Sequence, residues 1–446
     1  MIKLINCILL FNMFFFVSCG QTIKKAEIDN TNLDSLFTNL DKHKLGMGSL
    51  AISKNNQLIY QRAFGYTLLN QTEKRPSTTE SFYRIASVTK MFTAVLVFQL
   101  IEKGQLSLDD HLDKFFSEIP NSKLITVRNL LNHSSGLKNY SDVRDFQQWK
   151  YEKKSKKELL EIIAKFKGGF TPGKKHKYSN TNFFLLSLIL EKISGKAYKK
   201  LLEENILQKI SLDKTYYEEA GDTLRKESKS YKYINDNWIP EREDIAENHL
   251  GAGVIVSTSS DLSKFIDALF LHKLIDKKSL NQMTSFDKEY GLGIFKFQFG
   301  YSSAYGHEGR IDEYYTTLIH FPDVGLSISY CTNGILYPRD DIVNAVVQIC
   351  LKNDYTLPHF SGRKINVKKL TKLMGNYASD NMPIKVTCKV DNDQLIMETQ
   401  GRDFEAIKIK DNYFANYQYG YFFEFQPTKN TLLIKETDNI YVLKKK

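Results

Sequence analysis

Ser87 and Lys90 stand at the mouth of a helix that has almost no polar face. The stretch is "RIASVTKMFTAVLVFQLIEKG", residues 84–104. Met91, Phe92, Ala94, Val95, Leu96, Val97 and Phe98 leave no solvent side, and a helix apolar all round is buried between other elements. Its first turn therefore faces an interior or the floor of a cleft. Positions i and i+3 share one helix face, so the Ser87 hydroxyl and the Lys90 amine can touch. A lysine there is opposed by the helix dipole and by desolvation of its charge. Catalysis offsets that cost: an amine with a depressed pKa, or one held by hydrogen bonds, can take or steer the proton of Ser87. The helix N-terminus also places the Ser87 N–H at a reacting carbonyl. Ser-x-x-Lys alone is weak, since the chain has five, starting at Ser87, Ser135, Ser211, Ser285 and Ser361. Only the first directly precedes a long apolar helix.

A serine–lysine pair usually needs a third group to carry the proton onward. "PGKKHKYSNTNFFLLSLILEKISGKAY", residues 172–198, places Tyr178, Ser179 and Asn180 on a turn before another apolar helix. Lys174, Lys175, His176 and Lys177 precede the tyrosine, and nearby cations favour a phenolate, which is a usable base. A further candidate is "YGHEGRIDEYYTTLIHFP", residues 305–322. His307 begins an expected strand along the cleft, Gly309 would let a substrate backbone approach, and the Arg310 backbone N–H would complete an oxyanion hole with that of Ser87. Tyr-x-Asn recurs at Tyr233 and His-x-Gly at His249, so each pattern alone is weak.

Taken together, the three motifs resemble the serine β-lactamase and penicillin-binding protein superfamily, in its class C β-lactamase-like branch. The order matches, with steps of 91 residues from Ser87 to Tyr178 and 129 from there to His307. "EKGQLSLDDHLDKFF", "VRNLLNHSSGL" and "GAGVIVSTSSDLSKF" also look like recurring blocks of that family, and the resemblance spans roughly residues 34–352. It implies that Ser87 is the acylated nucleophile, that Lys90 assists its deprotonation, and that Tyr178 is general base and later the acid for the leaving group. Asn180 would hydrogen-bond the substrate amide. His307 would bias Tyr178 and a substrate carboxylate electrostatically, while His133 of "LNHSSGL" reads as structural. The sequence departs from the pattern in having no Lys-Thr-Gly. Glu308 sits where dedicated β-lactamases place a hydroxyl, and Arg310 where small residues are common. Acyl transfer stays the expectation, and efficient β-lactam hydrolysis does not follow.

The elements that must position these groups follow from periodicity. "NLDSLFTNLDKHK" reads as a helix, and "GSLAISKNNQLIYQRAFG" as a hairpin turning at Asn55-Asn56. Residues from about 84 to 280 are rich in helical patterns, and strand patterns return at 290–300, in "TTLIHFP" and at 325–334 before a closing helix. Strands at both ends with helices between argue α+β: an antiparallel sheet flanked by helices, with an α-helical lobe. From about residue 365, short strand-like runs broken by Asn, Asp and Gly read as a small C-terminal antiparallel barrel or sandwich. The expected organisation is 1–18 export signal, 19–30 tether, 31–355 hydrolase domain and 365–446 β domain.

The chain of 446 residues carries 62 Lys+Arg against 51 Asp+Glu, and the excess is mostly scattered lysine. The dense runs "YEKKSKK" and "RKINVKKLTK" read as solvated faces, with attraction to an anionic envelope as the sharper alternative. No aromatic-interleaved basic motif suggests a nucleic-acid partner. "MIKLINCILLFNMFFFVSCG" reads as an export signal. Ser18-Cys19-Gly20 resembles a bacterial lipoprotein site at which Cys19 carries acyl chains, despite Phe16; plain secretion or an uncleaved anchor is the alternative. A lipid-anchored enzyme of the bacterial envelope, facing the periplasm, is the expectation. Cys331, Cys350 and Cys388 are then buried thiols, neither a disulfide framework nor a zinc site. No His-x-His or His-Glu-x-x-His occurs among nine histidines, so neither a metal nor another cofactor is expected. The expected activity is acyl-enzyme hydrolysis of an amide or ester: a β-lactam, a D-amino-acid cell-wall peptide or a small ester. The alternative is a non-hydrolytic penicillin-binding or wall-fragment sensor. Oligomeric state is not legible.

Overall fold

The computed structural model describes residues 30–219, 227–286, 290–360, 362, 370–391, 394–399, 401–437 and 439–446. The export signal, Cys19 and nearly all of the tether lie outside these residues.

The architecture is α+β, as expected. Helix α1 (Asn30–Lys42) leads into β1 (Gly46–Lys54) and β2 (Gln57–Phe64). Asn55 and Asn56 both hold positive φ, 49° and 61°, as a two-residue primed turn requires, and asparagine tolerates that region best after glycine. The chain then leaves for the helical lobe and returns as β3 (Phe295–Phe299), β4 (Ser302–Ile311), β5 (Tyr314–Phe321) and β6 (Leu326–Ile335). The sheet is antiparallel, in the order β3-β4-β5-β6-β1-β2, so the two chain halves meet where β1 pairs β6, from Gly46↔Ile335 to Lys54↔Leu326. Both faces of the central strands are buried, which is why β1 and β6 read as nearly continuous apolar and small-polar runs. One face packs on α1 and the closing helix α5 (Arg339–Cys350), the other on α4 (Ser259–Phe270).

The lobe is built around α2 (Thr89–Glu102) and α3 (Asn180–Ser194). Residues 89 to 100 of α2 are all buried, as its lack of a polar face demands. The C-terminal domain is a closed barrel, which settles the barrel-or-sandwich alternative. Eight strands run from β7 (Gly375–Ala378) to β14 (Ile440–Lys445), each paired with its successor and closed through Tyr377↔Lys445. Leu395, Met397, Phe414, Phe425, Leu432 and Leu443 fill its interior. Its wall docks through Tyr413 and Phe422 onto Tyr337 and Ile342 of the body. Asp341 fixes this contact by accepting from Tyr413 Oη and pairing with Lys435 at 2.7 Å. Cys331, Cys350 and Cys388 are free thiols; two are buried and Cys350 is half-buried.

Candidate active site

The nucleophile turn is built by its neighbours before any catalytic contact is made. Tyr83–Arg84 pairs with Ile255–Ser257, and a single 3-10 turn, Ala86–Val88, then feeds α2. Ala86 carries φ 49°, a left-handed conformation that a non-glycine residue adopts at a cost of about 1–3 kcal/mol. The strained turn pushes Ser87 outward: between Tyr83 and Leu100 it alone is half-exposed. Gly309 on β4 makes this possible in an unexpected way. A Cβ there would lie 2.3 Å from the Ile85 carbonyl oxygen and 3.1 Å from the Ser87 nitrogen. The glycine thus admits the nucleophile turn, and the space expected for a substrate backbone is already filled by the chain itself.

Ser87, Lys90 and Tyr178 converge. Lys90 Nζ lies 3.0 Å from Ser87 Oγ, and Tyr178 Oη donates to that oxygen at 2.8 Å. Lys90 also donates to Asn180 Oδ1 and to the Ala252 carbonyl, both at 2.8 Å. The lysine is completely buried, and desolvation holds its pKa well below the ordinary value. Its Nζ donates to Ser87 Oγ as well as to Asn180 and Ala252, so the amine and the hydroxyl are in direct contact for proton exchange. Tyr178 differs from expectation. Burial raises its phenol, only partly countered by the Ser87 hydrogen bond. The cations before it do not act on it: Lys174, Lys175 and Lys177 are exposed, and His176 Nδ1 is bonded to the Asn132 carbonyl at 3.0 Å. Asn180 opens α3, and its Nδ2 donates to Ser141 Oγ at 2.9 Å while its own N–H donates to Asn139.

Behind Tyr178 lies an aromatic wall. His133, in the block read as structural, packs its ring 4.4 Å from that of Tyr178 and accepts the Ser179 N–H on Nδ1. Asn182 orients the same nitrogen at 3.0 Å. Tyr290, which carries no sequence signal of its own, sits 4.5 Å from His133 and bonds His307 Nε2 through its hydroxyl at 3.2 Å. His307 lies in mid-strand and is buried, its ring 6.4 Å from that of Tyr178. Desolvation lowers it to about 3. It is therefore neutral and behind the base, and the expected electrostatic pull on a substrate carboxylate is absent. Both histidines shape the pocket of Tyr178 by packing.

The groups open onto a cleft of about 590 Å³ whose floor includes Ser87, Asn180 and Ala252. Its wall carries Asp142, Glu241, Asp244, Asp312 and Glu313 against Lys150 and Arg310. Arg310 is exposed, with its guanidinium 5.2 Å from the Tyr315 ring. Glu308 points to the other side of the sheet, where Arg339 holds it at 3.0 Å, so strand alternation keeps its charge away from a substrate carboxylate. No barrel residue is among those lining the cleft. Arg84, next to the nucleophile turn, is buried among Glu218, Glu243 at 3.8 Å and Asp312 at 3.4 Å, tying that turn to the β4–β5 connection. Burial outweighs Arg84 and pushes Glu218 up to about 7, and burial with the neighbouring Asp244 does the same to Asp312. Asp244 itself pairs with Lys150 at 2.9 Å. Among the described residues, no cluster fit to hold a metal occurs.

The chain is similar to known proteins in sequence and fold. The Beta-lactamase family model covers residues 33–349. Penicillin-binding protein 4* of Bacillus subtilis (strain 168) is 28% identical over 405 residues, 83% of this chain and 88% of that protein. The teichoic acid D-alanine hydrolase of Staphylococcus aureus (strain MRSA252) is 25% identical over 287 residues, 62% of this chain and 69% of that protein. Among solved structures, the octameric penicillin-binding protein homologue from Pyrococcus abyssi covers 93% of this chain and 100% of its own, with TM-score 0.68 and 22% identity. D-amino acid amidase from Ochrobactrum anthropi SV3 covers 72% and 99%, with TM-score 0.65 and 22% identity; these two likenesses show the fold. The chain belongs to the Beta-lactamase family and is a serine hydrolase of the β-lactamase and DD-peptidase type, acting on amides or esters.

Proposed function

We propose that Ser87 forms an acyl-enzyme with D-amino-acid esters or amides that retain a free ammonium group. The observation that carries the reading is Ser87 Oγ held between Lys90 Nζ and Tyr178 Oη on the floor of an open cleft. In acylation the Ser87 proton passes to the neutral Lys90 amine, and Ser87 Oγ bonds the carbonyl carbon. The backbone N–H groups of Ser87 and Arg310 hold the oxyanion. Tyr178 gives its proton to the departing alcohol or amine. The resulting ammonium–phenolate pair is set for the second half: Tyr178 takes a proton from water, hydroxide attacks the ester, and Lys90 returns its proton to Ser87 Oγ. Every group ends as it began. Asn180 steadies the amine and faces the substrate amide.

The acyl preference rests on charge. Five acidic side chains against two cations line the cleft. With Asp312 only partly ionised and Asp244 matched by Lys150, Asp142, Glu241 and Glu313 still outnumber Arg310, which favours an ammonium and disfavours the carboxylate of a penicillin. The names of a teichoic acid D-alanine hydrolase and a D-amino acid amidase among the similar proteins agree with such a substrate. The test compares turnover of D-alanyl methyl ester, its N-acetyl counterpart and benzylpenicillin. A kcat/KM at least about tenfold higher for the free-amine ester supports the reading. Equal or reversed rates overturn the acyl preference, and one stable adduct per chain with no turnover favours the sensor. Export and lipid attachment at Cys19 complete the proposal and place the enzyme in the envelope. Metabolic labelling with a palmitate analogue, lost in Cys19→Ala, tests that part.

A further inference from the structure

A hollow of about 830 Å³ lies away from Ser87. It is walled by the end of α1, the Tyr66–Leu69 strand and the Tyr231–Ile234/Asn237–Pro240 hairpin. Two features set its chemistry. Trp238 and Tyr66 line it, half-buried, and offer flat apolar faces with polar edges. The side-chain amides of Asn70, Gln71 and Asn237 line it too. Asn70 Oδ1 already accepts from Thr72 and Glu73 and Asn237 Nδ2 donates to the Asn235 carbonyl, which leaves the Asn70 Nδ2 donor, the Asn237 Oδ1 acceptor and the Gln71 amide for a ligand. Aromatic faces together with amide donors and acceptors suit sugar rings, which show C–H faces and hydroxyls. Lys42, Lys44 and Lys74 line the same hollow and form no ion pair among the described residues. Asp41 and Asp236 also line it, and Asp41 already accepts the Gly65 N–H at 3.0 Å, so the three lysines remain in excess. The lysines therefore favour a glycan that carries acid groups.

The hollow is also connected to the chemistry. Leu69, Asn70 and Pro240 belong to its wall and to that of a neighbouring hollow of about 330 Å³. Glu241 lines that second hollow and the catalytic cleft. Leu69, Asn70, Pro240 and Glu241 thus mark a path of shared lining residues from the cleft at Ser87 to the hollow at Trp238. We infer that this path is an extended substrate groove, in which the hollow around Trp238 binds the acidic glycan part of a polymer whose acyl group enters the cleft at Ser87. This rests on the acyl-transfer reading of the cleft, but the glycan contact needs no serine chemistry and is measured without it.

The chain has two tryptophans, so Trp149→Phe leaves Trp238 as the only indole reporter. Titration of that otherwise full-length protein with a chito-oligosaccharide pentamer and with a hyaluronan oligosaccharide should shift its fluorescence, with the carboxylated glycan binding more tightly. Lys42→Gln, Lys44→Gln and Lys74→Gln combined should weaken the hyaluronan oligosaccharide about tenfold and leave the neutral pentamer within about twofold. These lysines are exposed, so the variant keeps its fold. Calorimetry on unsubstituted protein repeats the titrations independently of the reporter. No binding of either oligosaccharide by both methods at millimolar concentration overturns the inference. So does equal weakening of both glycans in the lysine variant, or competition of the glycans with a small ester at Ser87. Fluorophosphonate labelling of Ser87, followed in parallel, separates a failed groove from a failed catalytic assignment.

Discussion

At the scale of single residues, the account turns on where protons sit before reaction. A buried amine and a buried phenol are both driven toward neutrality, Lys90 downward and Tyr178 upward. The proposed mechanism accordingly starts from amine, hydroxyl and phenol and forms its ion pair on acylation. Tyr178→Phe should slow acylation by about 10²-fold, because the leaving group loses its acid, and stopped-flow measurement with a chromogenic ester reads this directly. Wild-type rates in that variant would mean that another acid serves. His307 makes a different kind of prediction. Its folded pKa, about 3, lies below the ordinary 6.5, so below 6.5 the unfolded chain binds a proton that the folded one does not. Stability from this group is then intact above 6.5 and falls with pH down to about 3, by about 1.4 kcal/mol per pH unit. His307→Phe should flatten that acid slope by one proton in urea titrations, while an unchanged slope would show that His307 is charged in the folded state.

At the scale of elements, close approach is what places the nucleophile. Gly309→Ala introduces a methyl 2.3 Å from the Ile85 carbonyl oxygen, and β4 and the Ser87 turn must separate. A displacement near 1 Å costs about 10²-fold in rate, so kcat with a small ester should fall by that order while the far-ultraviolet spectrum holds. Full activity would mean that the turn is not positioned by β4. Arg84 fastens the same turn from the other side. Arg84→Met leaves Glu218, Glu243 and Asp312 without their shared cation and should destabilise the protein by about 3–5 kcal/mol in denaturant titrations. A loss under about 1 kcal/mol would show that the carboxylates are protonated and the arginine dispensable. The apolar helix after Ser87 was legible in the sequence because burial on every face leaves no polar stripe, and the Asn55-Asn56 turn because two positive φ values restrict residue choice. The ion cluster was not, since Arg84, Glu218, Glu243 and Asp312 lie far apart along the chain and each reads as an ordinary charge. The neutral state of His307 was equally hidden: its motif places it near the base, but burial by Tyr290 and Phe295 depends on packing that no spacing encodes.

At the scale of the molecule, the barrel is joined to the hydrolase body through Asp341 and contributes no residue to the lining of the cleft. Asp341 accepts from Tyr413 and pairs with Lys435, whose ammonium also meets Glu424 at 2.7 Å. Breaking this partly buried contact with Asp341→Ala should cost about 3 kcal/mol and leave the rate of Ser87 labelling unchanged. A large loss of labelling would instead give the barrel a share in shaping the cleft. The barrel itself was legible as short strands at even spacing, but its closure was not, because sandwich and barrel share that alternation and differ only in whether the first strand meets the last. No helix among the described residues is long and apolar enough to cross a membrane.

The central claim is that Ser87 Oγ is the atom that becomes acylated. Intact-mass analysis after exposure to a fluorophosphonate, followed by peptide mapping, tests it most directly. One adduct per chain on the peptide containing Ser87, lost in Ser87→Ala and retained in Ser135→Ala, is the predicted result. An adduct on any other residue, or undiminished labelling of the Ser87→Ala protein, would contradict the account.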